Sequence, residues 1–396
     1  MEKYKVLDLF AGCGGLSKGF EQAGFEIVVA NDIWEPAMKT YVRNHPAAKF
    51  ILGDITNQEI KQQILDAFKD KPCDVIIGGP PCQAYSLAGL RDPGDPRGRL
   101  FEEYVEIVEK LQPKLFVLEN VKGILTMMHD REDLQDVAKN ELSELRKLEK
   151  EKAGLLLLRK KSKNNAEKFK FTKEDAEKLD DLKSEIKELK DRAGSAQEKV
   201  TEKIERGFKE IGYDVKFEVL NAADFGVPQT RERVIFIGKK EDGPISFPKP
   251  THSKNPVKDG LRPWKTVQEA IDDLRDRQED LQFNHIITAH NKEFIGKIRN
   301  TPIGANVFGN YSDAFYKNPP NVPSRTVKEN HGGVFVHYGK DRVMTPRELA
   351  RLQSFPDDFI FEDTKSNILK QIGNAVPVGL ARAIGEHIIK LIEEKN

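Results

Sequence analysis

Residues 74–86 read DVIIGGPPCQAYS, an apolar run followed by a turn with two prolines and a cysteine. The apolar run at 75–77 has the composition of a short buried strand. Cys82 follows in a turn that Pro80 and Pro81 stiffen. Ligands of open α/β sheets bind at such strand ends. The stretch therefore predicts a sheet that holds a thiol forward as a nucleophile, although a lone Pro-Cys would more often be a buried free cysteine.

Strand and helix patterns alternate along much of the chain. The predicted strands lie at 4–10, 26–32, 48–54, 74–79, 114–120, 215–220 and 233–238. A glycine-rich turn between the first two strands opens a helix. This alternation predicts an α/β fold with a doubly wound, mostly parallel sheet.

Composition limits the class of protein. The chain has 396 residues, 38% hydrophobic and 32% charged, with zero formal net charge, which suits a large soluble protein. We expect a cytoplasmic protein, because no apolar signal region or membrane-spanning run is found. The three cysteines form no Cys-x-x-Cys pair, so we expect neither a disulfide framework nor a metal site.

Six stretches, in order, resemble motifs of the DNA cytosine-5 methyltransferases. They are DLFAGCGGLS at 8–17, GGPPCQAYS at 78–86, ENV at 119–121, QTRER at 229–233, the segment 342–356, and QIGNAVP at 371–377. They span nearly the whole chain, apart from an insert near 130–200 and a variable stretch near 285–322. The resemblance implies methyl transfer from S-adenosylmethionine to C5 of a flipped-out cytosine in a specific duplex DNA sequence.

The resemblance also implies roles for individual side chains. Cys82 would attack C6 of cytosine, Glu119 would donate a proton or hydrogen bond at N3, and Arg233 would hold O2. Burial of the Glu119 carboxyl group could keep its proton near neutral pH. Arg231 would support the nucleophile loop. The loop 87–100 could close as a lid, and the expected substrate contacts are Gln83, Ser86, Arg97 and Gln229.

The cofactor loop lacks both the dinucleotide spacing and the Walker lysine, which argues against a phosphate-rich ligand and suits S-adenosylmethionine. We expect Asp32 to accept hydrogen bonds from the ribose and Asp54 from the adenine amino group, although single acids are more often helix caps. By resemblance, the other cofactor contacts are Phe10, Gly12, Gly14, Gly15, Leu16, Ile33, Ile55, Pro80, Asn374 and Val376.

The predicted domains follow the motifs. Residues 1–239 form a catalytic, cofactor-binding domain, interrupted by a helical insert at 130–206. Residues 240–365 form a loop-rich target-recognition domain, and 366–396 return to the catalytic domain. Between His285 and Arg342 there are eight Lys or Arg and four Asp or Glu, an excess that is compatible with DNA phosphates.

The insert has a heptad seam from Leu179 to Val200 and an earlier, less regular arm, a pattern that predicts an antiparallel helical hairpin. A solvated coiled-coil spacer is the simplest interpretation. Alternatively, the seam could pair two chains. A third hypothesis rests on the tip, where seven basic residues face the single acid Glu167 and could contact DNA: Arg159, Lys160, Lys161, Lys163, Lys168, Lys170 and Lys173.

Three other functions stay open: a transfer-RNA cytosine-5 methyltransferase on the same scaffold, a catalytically silent DNA-binding homologue, and a small-molecule methyltransferase. The set Cys82, Glu119 and Arg233 argues against a silent homologue. A bacterial or phage modification enzyme is the expected setting. A cognate restriction endonuclease would be its functional partner, and the chain itself would act as a monomer.

Overall fold

The computed structural model describes residues 3–81, 100–131, 136–164, 169–193, 197–240, 243–309, 314–329 and 334–394. Four predicted site residues lie outside these ranges: Cys82, Gln83, Ser86 and Arg97. The chain divides into two compact units. The first comprises Met1–Pro80, Leu100–Lys122 and Phe208–Asn396, and the second comprises Pro81–Arg99 and Gly123–Gly207.

A seven-stranded sheet forms the centre of the first unit, in the order β3-β2-β1-β4-β5-β9-β8. Its strands are β1 (Lys5–Leu9), β2 (Glu26–Asp32), β3 (Lys49–Leu52), β4 (Val75–Gly78), β5 (Leu115–Val121), β8 (Asp214–Asn221) and β9 (Glu232–Lys239). The first five pair in parallel, and β9 runs antiparallel to both β5 and β8. The predicted mostly parallel sheet is confirmed, and its central strands β1, β4 and β5 are buried along most of their length.

Helices cover the sheet: α1 (Gly15–Ala23), α2 (Glu35–Asn44), α3 (Gln58–Asp66), α4 (Leu100–Leu111) and α13 (Val378–Glu393). The apolar faces of α1 and α13 share one buried core with β1, β4, β5 and β9. Gly19 permits this packing, because an added Cβ would overlap Ala381. The predicted final helix therefore packs against the sheet, and it brings the last motif next to the first.

Shorter elements make up the rest of this unit: β10 (His252–Ser253), α8 (Pro256–Asp259), β11 (Arg262–Pro263), α9 (Val267–Ile271), α10 (Lys292–Asn300), α11 (Pro346–Leu352) and α12 (Lys365–Asn374). Arg347 ties several of them together. Its buried guanidinium lies over the Phe283 ring and donates to the backbone carbonyls of Phe283, Pro356 and Phe359. The motif at 342–356 is thus a scaffold for the loops around it.

In the second unit, β6 (Met128–Asp130) and β7 (Gln197–Lys199) pair antiparallel at the root of a helical hairpin, and α7 (Val200–Glu210) follows. The hairpin arms are α5 (Asp136–Asn164) and α6 (Lys173–Ala193). Leu142, Leu145, Ile186 and Leu189 are buried between the arms. The predicted hairpin is confirmed. Its second arm is shorter than the heptad pattern suggested, because α6 ends at Ala193 and Val200 begins a different helix.

Candidate active site

Antiparallel pairing of β5 and β9 brings two of the predicted catalytic residues together. Glu119 lies opposite Ile235, and Arg233 lies opposite Val121, so both charged side chains project from one face. Arg233 Nε is 2.6 Å from Glu119 Oε1, and each side chain is only 12% exposed. Arg233 also donates to the carbonyl of Glu232 at 2.8 Å. The site therefore contains a largely buried pair of a carboxyl group and a guanidinium, and the guanidinium keeps further donors available.

The backbone that leaves β4 lies directly against this pair. A Cβ added at Gly79 would be 2.9 Å from Glu119 Oε2, which explains the glycine there. Buried Asn120 donates from Nδ2 to the carbonyl of Pro80 at 3.0 Å. This anchor is two residues before Cys82 in sequence. Asn120 was not among the predicted site residues, although its place beside Glu119 in the ENV motif could have indicated it.

Arg231 and Gln229 are fully buried and hold other segments. The guanidinium of Arg231 donates to the carbonyls of Val327 at 2.6 Å and Gly373 at 3.1 Å. Burial holds the pKa of Arg231 well below its usual value. The Gln229 amide donates to Leu352 O and Gln353 Oε1 and accepts from Val327 N. Within the described ranges, both side chains therefore join β9 to the scaffold and to the last motif.

The cofactor loop turns sharply between β1 and α1. Phe10, Gly12 and Gly14 have φ of 58°, 55° and 94°, in the left-handed region that favours glycine. Asp32, at the end of β2, fixes the turn. Its carboxylate accepts from Gly12 N and Trp34 N, both at 2.8 Å. Burial raises the pKa of Asp32. Each oxygen retains a lone pair for a further donor.

Close packing explains the last two glycines of the loop. A Cβ at Gly14 would overlap His45, and one at Gly15 would lie 2.5 Å from the carbonyl oxygen of Val376. The first and last motifs, far apart in sequence, therefore meet at this loop. Asn374, two residues before Val376, is exposed.

The remaining predicted cofactor residues include both exposed and buried side chains. Ile33 directly follows β2 and is 66% exposed. Asp54 is exposed, and its Oδ1 accepts from Thr56 N at 2.9 Å. Leu16 and Ile55 are buried.

The family model for C-5 cytosine-specific DNA methylases matches residues 4–146 and 187–390. The chain belongs to this family. It is 32% identical to the Type II methyltransferase M1.HphI of Haemophilus parahaemolyticus over 97% of this chain and 86% of that protein. It is 33% identical to the Type II methyltransferase M.FnuDI of Fusobacterium nucleatum over 99% and 96%. The chain is thus a DNA cytosine-5 methyltransferase, and its family and fold imply the use of S-adenosylmethionine.

Solved structures support the fold assignment. One is an E. coli protein described as a DNA modification methyltransferase encoded within a prophage, with a TM-score of 0.64, 24% identity and coverage of 99% and 100%. Another is the S. pombe Dnmt2 methyltransferase, with a TM-score of 0.55, 16% identity and coverage of 99% of both chains. At these sequence identities the structural similarity supports only the fold and carries no argument about function.

A buried polar network beneath the cofactor loop had not been predicted. The Ser17 hydroxyl donates to Asp8 Oδ2 at 2.6 Å and lies 2.7 Å from the Tyr41 hydroxyl. Burial, with a smaller contribution from Asp32, raises the pKa of Asp8 to about 7. Only the Asp8–Ser17 separation across the glycine turn could have indicated this network. Through its hydrogen bond with Ser17, Asp8 therefore joins β1 to α1, the two elements that flank the cofactor loop.

The two cysteines in the described ranges are poor nucleophiles. Cys13 and Cys73 are both buried. Burial raises the pKa of Cys13 to about 12 and that of Cys73 further, so neither is a thiolate near neutral pH. The same ranges contain no cluster of three metal-binding side chains. None of their helices has the length and apolar character needed to cross a bilayer.

Proposed function

We propose that this methyltransferase methylates C5 of a flipped-out cytosine in a specific duplex DNA sequence, through a covalent bond from Cys82 to C6. The observation that carries the proposal is the Glu119–Arg233 pair, 2.6 Å apart, beside the Asn120–Pro80 anchor. That anchor begins the segment that leads to Cys82. A carboxyl group and a guanidinium at one strand end suit the N3 and O2 edge of a pyrimidine.

The chemistry needs each of these groups. Attack by the Cys82 thiolate forms the Sγ–C6 bond and shifts the C5–C6 π electrons onto C5, from where conjugation spreads them to N3 and O2. The ring takes on negative charge at N3 and O2, where Glu119 supplies a proton or hydrogen bond and Arg233 supplies a positive charge. C5 then carries the electron pair that accepts a methyl group. Loss of the C5 proton to a base re-forms the C5–C6 double bond and breaks the Sγ–C6 bond, which releases the Cys82 thiolate, and any proton taken up at N3 returns to Glu119.

When bound, S-adenosylmethionine would supply an electrophilic methyl group and would leave as S-adenosylhomocysteine, whose sulfur keeps the electron pair of the broken sulfur–methyl bond. We place its ribose hydroxyls on Asp32, its adenine amino group on Asp54 and the adenine face on Ile33. Phe10, Gly12, Gly14, Gly15, Pro80, Asn374 and Val376 complete this cofactor site. The buried side chains of Leu16 and Ile55 support it from behind.

For the nucleic acid, we assign Gln83, Ser86 and Arg97 to the flipped nucleotide and residues 285–322 to sequence recognition. Arg231 and Gln229 act by positioning the surrounding segments. The Type II names of the relatives support a bacterial modification enzyme that acts in the cytoplasm beside a cognate restriction endonuclease.

Trapping of the covalent intermediate tests the proposal. A long duplex in which 5-fluorocytosine replaces every cytosine will contain the target whatever its sequence. With S-adenosylmethionine, the wild type should form an adduct that survives denaturing electrophoresis, because fluorine blocks the final elimination. Cys82→Ala should form none, whereas Cys73→Ala, a buried control, should still trap. Trapping or normal methylation by Cys82→Ala would refute the mechanism.

A further inference from the structure

The family match stops at residue 146 and resumes at 187, so it omits the distal part of the α5–α6 hairpin. We infer that the end of this hairpin is an additional binding surface for the phosphates of duplex DNA. This inference rests on DNA being the substrate. The basic tip is defined here as Arg159, Lys160, Lys161, Lys170 and Lys173, all of them exposed.

Charge in the basic tip is not neutralised by the residues that the structure describes. Lys173 reaches a carboxylate only at 3.7 Å, on Glu177, and that pair is highly exposed. The other four form no close ion pair in the described ranges, although Arg159 has a longer-range electrostatic interaction with Asp180. Glu167 is the single acid between residues 159 and 173 of the sequence. A concentrated positive charge of this kind attracts a polyanion.

The arms of the same hairpin behave differently. Lys178 pairs with Glu151 at 2.5 Å and Lys190 with Glu149 at 2.7 Å, both across the two helices. Lys183 pairs with Asp180 at 2.6 Å. Residues 136–158 contain five basic and five acidic residues, and residues 174–193 contain five basic and eight acidic residues. The excess of positive charge is therefore confined to the basic tip.

Aromatic contacts hold the basic tip in shape. Lys161 Nζ lies 5.2 Å from the Phe169 ring centroid, and the Arg159 guanidinium lies 5.8 Å from that of Phe171. The Phe171 amide donates to the Ser162 hydroxyl at 3.2 Å. These contacts join residues 169–171 to the end of α5, so basic side chains on the two arms of the hairpin lie close together. Cations alternating with aromatic rings are typical of nucleic-acid surfaces.

Burial of the heptad seam does not require a second chain, so the structure does not favour the hypothesis that the seam pairs two chains. The apolar seam residues Leu179, Leu182, Ile186 and Leu189 are all buried within the hairpin of a single chain. Apart from Leu156 and Leu157 on α5, which are 43% and 53% exposed, the described part of the hairpin presents charged rather than large apolar side chains to a partner. Duplex DNA, the substrate of the family, has the complementary charge.

Two variants with equal charge change test this surface. The tip variant is Lys160→Gln, Lys161→Gln and Lys170→Gln; the control variant is Lys178→Gln, Lys183→Gln and Lys190→Gln. Binding of a random-sequence duplex of about 40 base pairs is measured by fluorescence anisotropy over a salt series. Circular dichroism and thermal melting confirm that both variants keep the hairpin.

The tip variant should reduce the slope of log affinity against log salt by about 2.7, since each lost phosphate contact removes about 0.9. At about 0.15 M salt the affinity should fall roughly tenfold to a hundredfold. The control variant should match the wild type in slope and in methyl transfer. An unchanged slope in the tip variant, or an equal loss in the control, would overturn the inference.

Two further outcomes separate this inference from the proposed function. Failure of the wild type to incorporate methyl groups into bulk DNA would refute the proposed function and leave the salt slopes standing. Normal incorporation with identical slopes would refute the tip surface alone. A concentration-dependent dimer in the wild type that the tip variant loses would show a protein partner instead and also overturn the inference.

Discussion

Asn120→Ala tests whether the backbone anchor before the nucleophile matters for catalysis. The substitution removes the bond from Asn120 Nδ2 to the Pro80 carbonyl at 3.0 Å and the bond from Val121 N to Asn120 Oδ1 at 2.9 Å. A buried carbonyl left without a donor costs about 1–3 kcal/mol. The thermal midpoint should therefore fall by a few degrees.

The larger effect should be on turnover. Cys82 follows Pro80 by two residues, so a looser Pro80 displaces the thiol. A displacement of about 1 Å at a reacting group can cost about 10²-fold in rate. We expect kcat for methyl transfer to fall by about that factor, with the KM for S-adenosylmethionine little changed. Tritiated methyl transfer to DNA and thermal denaturation measure both effects.

Asn44→Ala is the matched control. Asn44 makes the same two kinds of bond with Ile360, donating to its carbonyl at 2.8 Å and accepting from its amide at 2.9 Å. The control should lose similar stability and keep kcat. If Asn120→Ala loses stability as the control does and retains the wild-type kcat, the Pro80 anchor has no role in catalysis.

Other substitutions probe the cofactor loop and the thiols. Gly15→Ala places a Cβ 2.5 Å from the Val376 carbonyl oxygen, so calorimetry should show S-adenosylmethionine bound about tenfold more weakly; unchanged affinity would contradict this packing. The Asp8 pKa rises from 3.8 to about 7 on folding, so the folded chain keeps a proton that the unfolded chain releases. Across that window the wild type should lose stability relative to Asp8→Asn as pH rises, by up to about 1.4 kcal/mol per pH unit, and parallel denaturation profiles would disprove it. Iodoacetamide should modify only Cys82 in the native chain, because the other two cysteines are buried; mass spectrometry showing a second modified site would argue otherwise.

Local patterns were sufficient for the sheet and for one part of the site. Short apolar or alternating runs were enough to predict the seven strands of the central sheet. The roles expected for Glu119 and Arg233 came from the resemblance of the ENV and QTRER motifs to those of the family. Their pairing follows from strand register, which obeys the same alternation.

Contacts between distant segments could not be predicted in this way. Arg231 bonds to the carbonyl of Gly373, 142 positions away, and Asn120 bonds to that of Pro80, 40 positions away. No periodicity specifies such partners, because they depend on how finished elements pack. The Asp8–Ser17–Tyr41 network was missed for the same reason.

Bisulfite sequencing of DNA from a methylation-free host that expresses this chain reports the modified base and its sequence context together. We predict protected cytosines confined to one short sequence, and none when the host expresses Cys82→Ala. Protection that persists with Cys82→Ala, or a wild-type protein that is expressed and folded yet protects no cytosine, would contradict methyl transfer to C5 by Cys82.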